Sequence, residues 1–161
     1  MKMINDEKFM RAAIAQARLS LKSGDVPVGC VIVKDGKIIA RAHNEREKKK
    51  NALCHAEITA ISRACNKLNG WRLVGCTLYV TLEPCPMCAG AIINARPERI
   101  VFGATDEKGG AVASKARLFE QGYNHFPEIE NGVLEKECGD LLKGFFKELR
   151  SKNRKKSEIA E

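Results

Sequence analysis

The stretch TLYVTLEPCPMCAGAIINARPERIVF, residues 77–102, decides the fold. Its first six residues are uncharged, apolar or β-branched, which predicts a buried strand over 77–82. Pro86 then stands where a helix takes its first turn, and the apolar run behind it predicts a short helix over 86–95. Residues 99–102 return to strand composition. Strand, helix and strand in that order, with more of both on either side, predict helices laid on a partly parallel sheet.

Working outward, residues 28–33 are apolar and β-branched, Asp35-Gly36 is a tight-turn pair, and 37–42 completes a hairpin. Ahead of it, Met10, Ile14, Ala17 and Leu21 recur at spacings of one helix face, and Gly24 stops that helix. From His55 onward Ile58, Ile61, Ala64, Cys65 and Leu68 return to helical spacing until Asn69-Gly70. Downstream, 128–130 is a last short strand, and 134 to about 150 a long helix that merges into a basic tail. No repeat and no linker interrupts the pattern. The organisation is one α/β domain over 1–150 and a tail over 151–161, for which disorder stays open.

With 161 residues, 44% hydrophobic and 30% charged, the chain suits one domain with a core, not a disordered, collagenous or coiled-coil protein. No charge-free run approaches the roughly 20 residues of a membrane span. The first residues mix acids and bases without an apolar run, so a secretory signal is not expected and the protein is expected to be cytoplasmic. Seven cysteines, an odd number without a tight spacing ladder, point to reduced thiols and a metal rather than a bridge framework. The net charge of +8 is uneven: Lys147, Arg150, Lys152, Arg154, Lys155 and Lys156 cluster at the end, and Glu45 to Lys50 form a second basic run. Such clusters suit a polyanion, and equally a solvated, solubilising surface.

The chemistry concentrates at Cys54-His55-Ala56-Glu57 and Glu83-Pro84-Cys85-Pro86-Met87-Cys88. Cys85 and Cys88, three apart at a helix start, put two sulfurs on one face, where the positive helix end favours thiolates. Alone, such a pair is also a redox motif. His55, also at a helix start, supplies a third ligand of zinc-like softness. Two thiolates and one imidazole leave a fourth position open, where a water would be acidified to a pKa of roughly 7. Glu57 can serve that water as a proton shuttle only if His55 sits at the helix mouth; otherwise it is a first-turn glutamate favoured by the helix dipole. Cys54 as a fourth thiolate would close the site and make it structural.

Together, HAE and PCPMC resemble the H-x-E and P-C-x-x-C signature of zinc nucleobase deaminases. The likeness extends through DVPVG at 25–29, HAEI at 55–58, LYVTLEPC at 78–85, MCAGA at 87–91 and VFGA at 101–104, with Asn124-His125 and Phe145-Phe146 beyond. Over roughly residues 5–150 the chain is similar to the bacterial tRNA-specific adenosine deaminases. That resemblance implies a cytidine deaminase-like three-layer sandwich, a five-stranded mixed sheet between helices, and a homodimer acting on the wobble adenosine of a tRNA anticodon arm. It implies one Zn2+ per subunit on His55, Cys85 and Cys88, and Glu57 carrying protons to N1 and to the leaving ammonia as C6 is hydrolysed. It also implies Asn44 at the nucleoside, Asp106 at a ribose hydroxyl, Lys108 at a phosphate and His125 near the RNA.

Two departures stand out. Asn51-Ala52-Leu53-Cys54 replaces the family's common Asp-Pro-Thr-Ala, and Thr105 stands where many relatives carry arginine. Cys30, Cys65, Cys76 and Cys138 fall on apolar faces and are expected to act as small hydrophobes. Two other readings share the motifs: a deaminase of a free base such as guanine, which needs no polyanion footprint, and a zinc-organised RNA-binding module without catalysis, against which Glu57 argues.

Overall fold

A computed structural model describes residues 2–160, with side chains from Asn5 onward; Met1 and Glu161, the ends of the expected domain and tail, lie outside the described residues. Helix α1 spans Lys2–Ser20 and is followed by the hairpin β1 (Gly29–Lys34) and β2 (Lys37–His43). Then come α2 (Arg46–Lys49), α3 (Ala56–Leu68), β3 (Cys76–Leu82), α4 (Pro86–Ala95), β4 (Arg99–Ala104), β5 (Glu128–Asn131) and α5 (Glu135–Ala160). The sheet order is β2-β1-β3-β4-β5. β1 runs antiparallel to β2 and β3, whereas β3, β4 and β5 are parallel. This is the mixed five-stranded sheet that the resemblance implied. The hairpin turns on Asp35 and Gly36, both at positive φ (50° and 73°), the geometry of a two-residue hairpin loop.

Alternation along the strands divides the core. Cys30, Ile32, Leu78, Val80, Ile100 and Phe102 face α3 and α4, while Val31, Val33, Tyr79 and Val101 face α1 and α5. On α3 the buried stripe is Ala56, Ala60 and Ala64, four apart, so the helix lies close on the sheet. Ile61, Cys65 and Leu68 pack at its margin only partly buried. On the other face α1 sits against β1 so closely that any side chain at Gly29 would collide with the carbonyl of Ala13.

Two sequence expectations change and one element was not anticipated. Leu21 leaves the core face of α1: the helix tightens into a 3₁₀ turn at Leu21–Ser23, closed by Gly24 at φ 72°, and Leu21 is 42% exposed. Ser20 is buried instead and donates its hydroxyl to the carbonyl of Asn44 at 2.8 Å. The basic run at 45–50 contains the single-turn helix α2. The buried Asp25 carboxylate accepts from the amides of Glu47 (2.7 Å) and Lys48 (3.4 Å), satisfying donors that a helix start leaves open. Finally, α5 does not end near Arg150. Residues 151–160 contain no Gly or Pro, and Glu148 pairs with Lys152 at 3.3 Å one turn on, so extending the helix costs little once it has started.

One polar cluster ties the α1 face together. Asp6 accepts two bonds from the Arg99 guanidinium, both 2.7 Å, and one from the Tyr79 hydroxyl at 2.8 Å. No helix among the described residues is long and apolar enough to cross a membrane.

Candidate active site and metal centre

Strands β3 and β4 deliver the chain to one end of the sheet, the carboxyl ends where α/β sheets hold ligands. His55 is the N-cap of α3 and Cys85 the N-cap of α4, both with extended backbone (ψ 149° and 174°), and Pro86 opens α4. Two positive helix ends therefore converge on one point. There His55 Nδ1 lies 3.6 Å from Cys85 Sγ and 3.5 Å from Cys88 Sγ. The three donor atoms all fall within 4.8 Å of one another, a soft nitrogen and sulfur set that fits a zinc-type ion. Cys54 is not part of this group; its backbone instead bonds Asn51 and Glu45.

The bonds from Cys88 and from the His55 ring hold the Cys85 thiol down to about 4, while the same bond pushes Cys88 up. His55 is raised by its bond to Cys85. Glu57, in the first turn of α3, is only 4% exposed, and burial raises its carboxyl above the usual range. Because His55 is the cap and not an interior helical residue, imidazole and carboxylate converge, which is the condition set by their spacing.

A cleft of about 690 Å³ opens over this cluster. His55, Glu57 and Cys85 line it together with Asn44, Asp106 and Lys108, so five of the expected site residues share one cavity with Glu57, and Thr105 lies beside them. Asn44 is buried; its Oδ1 accepts from the Ala56 amide at 2.8 Å, and Nδ2 has no partner among the described residues. Asp106 has a local task as well, accepting from the amides of Lys108 (3.2 Å) and Gly109 (3.1 Å). His125 does not line this cleft: its Nε2 bonds the Pro97 carbonyl at 2.7 Å.

Sequence reasoning missed several wall residues. Leu142, Lys143, Phe146 and Arg150 of α5 line the cleft, as does Arg46 of α2. Leu142, Phe146 and Arg150 are four apart, a helix-face signal that was available, although nothing local said that the face would meet the cleft. Glu83 was quoted only as part of a motif. It is 2% exposed; burial opposes its charge, but the Ser114 hydroxyl and the amides of Ala113, Asp106 and Val112 hold it below the usual carboxylate range.

The comparisons agree with this geometry. A MafB19-like deaminase family model matches residues 4–150. The chain is 51% identical over 153 residues to a tRNA-specific adenosine deaminase of Bacillus subtilis (strain 168), covering 94% of this chain and 95% of the relative. A solved structure from work on A-to-I editing by tRNA:A34 deaminases at the wobble position shares 45% identity and a TM-score of 0.82, covering 84% of this chain and 99% of that one. A guanine deaminase from Bacillus subtilis is more distant, at 38% identity and a TM-score of 0.59, covering 73% and 69%. Sequence, fold and the arrangement of the site together place this chain in the tRNA-specific adenosine deaminase family.

Proposed function

We propose that this protein hydrolyses the wobble adenosine of a tRNA anticodon to inosine. The observation that carries the reading is the cluster of His55, Cys85 and Cys88 with buried Glu57 at the floor of a cleft whose rim bears Arg46, Lys108, Lys143 and Arg150. The soft donor set suits one Zn2+ per chain, and the ion supplies Lewis-acid activation of water at neutral pH.

The remaining work falls to the protein. Glu57 takes a proton from water and delivers it to N1 of the adenine, while the water oxygen bonds C6. The same carboxylate then takes the second proton from the new C6 hydroxyl and gives it to the departing amine, so that the C6–N bond breaks, the C6 carbonyl forms, and adenosine and water become inosine and ammonia. A carboxyl buried beside the His55, Cys85 and Cys88 group is placed to take a proton from water and give it to the base. Asn44 is held by the α3 amide and turns its Nδ2 to the nucleoside. Asp106 serves a ribose hydroxyl and Lys108 a phosphate. The four cationic rim residues suit the backbone of a base lifted out of an anticodon loop, a footprint that a free base does not require. The reading includes a cytoplasmic homodimer, whose interface would take exposed apolar side chains such as Leu53 and Val74 out of water.

The test is a deamination assay of zinc-loaded protein on a tRNA transcript with adenosine at the wobble position, alongside free adenosine, guanine and cytidine. Inosine at the wobble base alone is expected. Ammonia from guanine alone would overturn the RNA reading and move the same chemistry to a free base.

A further inference from the structure

Glu83 takes no part in the chemistry above, yet its carboxylate is buried at the end of β3, where the chain turns into Pro84 and Cys85. Among the described residues no cation pairs with it. Its partners are neutral donors, and all come from one segment. Oε1 accepts from the Asp106 amide at 3.1 Å and from the Ser114 hydroxyl. Oε2 accepts from the amides of Val112 (3.1 Å), Ala113 (2.9 Å) and Ser114 (3.1 Å).

That segment, between β4 and the short 3₁₀ turn at Leu118–Glu120, has no helix or strand of its own to fix its path. It is wound around the carboxylate. The Gly110 amide returns to the Asp106 carbonyl at 2.7 Å, and the Ala111 amide reaches the Pro84 carbonyl at 2.9 Å. Gly110 is obligatory in this packing, because a Cβ there would run into the Glu83 carboxylate and lie 2.6 Å from the Asp106 carbonyl. The same segment carries Asp106 and Lys108 to the cleft. Such an anchor gathers loop amides that would otherwise seek water and fixes the loop in one conformation before substrate arrives.

We propose that Glu83 is a positioning residue for RNA recognition: its buried carboxylate folds the 105–114 loop so that Asp106 and Lys108 meet the anticodon. The inference rests on the RNA reading given above. Glu83 therefore governs how well RNA binds and leaves the proton chemistry of Glu57 alone.

The experiment uses the full, zinc-loaded chain and an anticodon stem-loop with adenosine at the wobble position. Glu83→Gln places an amide donor among amide donors. Expected are a KM raised about tenfold or more with kcat within about threefold, unchanged zinc content, and faster tryptic cleavage at Lys108, Lys115 and Arg117. Because Glu83 acts through Asp106, Glu83→Gln added to Asp106→Ala should raise KM little beyond Asp106→Ala alone. Gly110→Ala, which keeps the Glu83 residue but sets a methyl group against its carboxylate and so parts it from the loop, should reproduce the KM effect and keeps the test open if Glu83→Gln folds poorly. Unchanged KM in both variants, a loss confined to kcat, or effects of Glu83→Gln and Asp106→Ala that multiply would overturn the proposal. If the wild-type chain forms no inosine, the RNA reading fails separately; equal tryptic rates in that case would also remove Glu83 as the loop's anchor.

Discussion

Replacing Asp6 with Asn should destabilise the fold without touching the active site. The Asp6 side chain is 4% exposed and that of Arg99 11%, and their two bonds are both 2.7 Å. Asn keeps one acceptor but turns a donor toward the guanidinium and leaves a buried cation short of its partner. Breaking such a pair typically costs about 3–5 kcal/mol. Glu128 and Glu130 remain 3.8 Å from Arg99, but they are 59% and 52% exposed, so their compensation is weakened by solvent. The lower end, about 3 kcal/mol, is therefore expected. At roughly 2–4 °C per kcal/mol for a chain of this size, Tm should fall by about 6–12 °C. Arg99 begins β4, whereas the cleft lies beyond its far end, so turnover at 25 °C should stay near wild type. Thermal unfolding followed by circular dichroism, at equal metal loading, gives the answer. A fall below about 2 °C would refute the reasoning, since it would mean the buried pair contributes less than about 1 kcal/mol.

Other expectations concern pH, metal and tail. Burial and the bond to Asp6 raise the Tyr79 phenol well above its usual range. In a Tyr123→Phe background, absorbance at 295 nm should show it ionising later in the folded protein than in urea. Because the folded value is the higher one, its stabilising contribution is complete below the unfolded pKa of about 10 and is lost as pH rises beyond it; identical titrations in both states would contradict this. Cys88→Ala should lose bound zinc and activity together, as should chelation of the wild type, measured by metal analysis beside turnover. Deleting residues 151–161 removes Lys152, Arg154, Lys155 and Lys156 and should lower the salt slope of RNA binding by about 1–2 while sparing turnover of a minimal stem-loop. An unchanged slope would make that part of α5 a solubilising extension only.

The sheet and the metal group were legible because their signals are local. Strand composition around the Pro86 helix start, and the Asp35-Gly36 turn, mark the elements without knowledge of their neighbours. His55, Glu57, Cys85 and Cys88 carry residue types and spacings tied to one chemistry. What stayed hidden depends on contacts between distant segments. α2 is capped by Asp25, more than twenty residues earlier (22 and 23 apart), and local propensity says nothing of that. Glu83 looks like any acid beside a proline until the loop that folds around it is seen. Leu21 has the right spacing for α1 but falls where the helix tightens, so periodicity alone assigned it to the core. The face of α5 that lines the cleft is amphipathic, and its partner could be recognised only once the sheet had placed it.

The central claim is that Glu57 moves the proton at a metal site that His55, Cys85 and Cys88 hold without it. Single-turnover deamination of a wobble-adenosine stem-loop by Glu57→Ala, with zinc content measured on the same sample, tests this most directly. The account predicts zinc equal to wild type, RNA bound, and inosine formation reduced by at least about 100-fold, the lower range for losing a general acid and base. Inosine formed at a wild-type rate, with zinc in place, would contradict it.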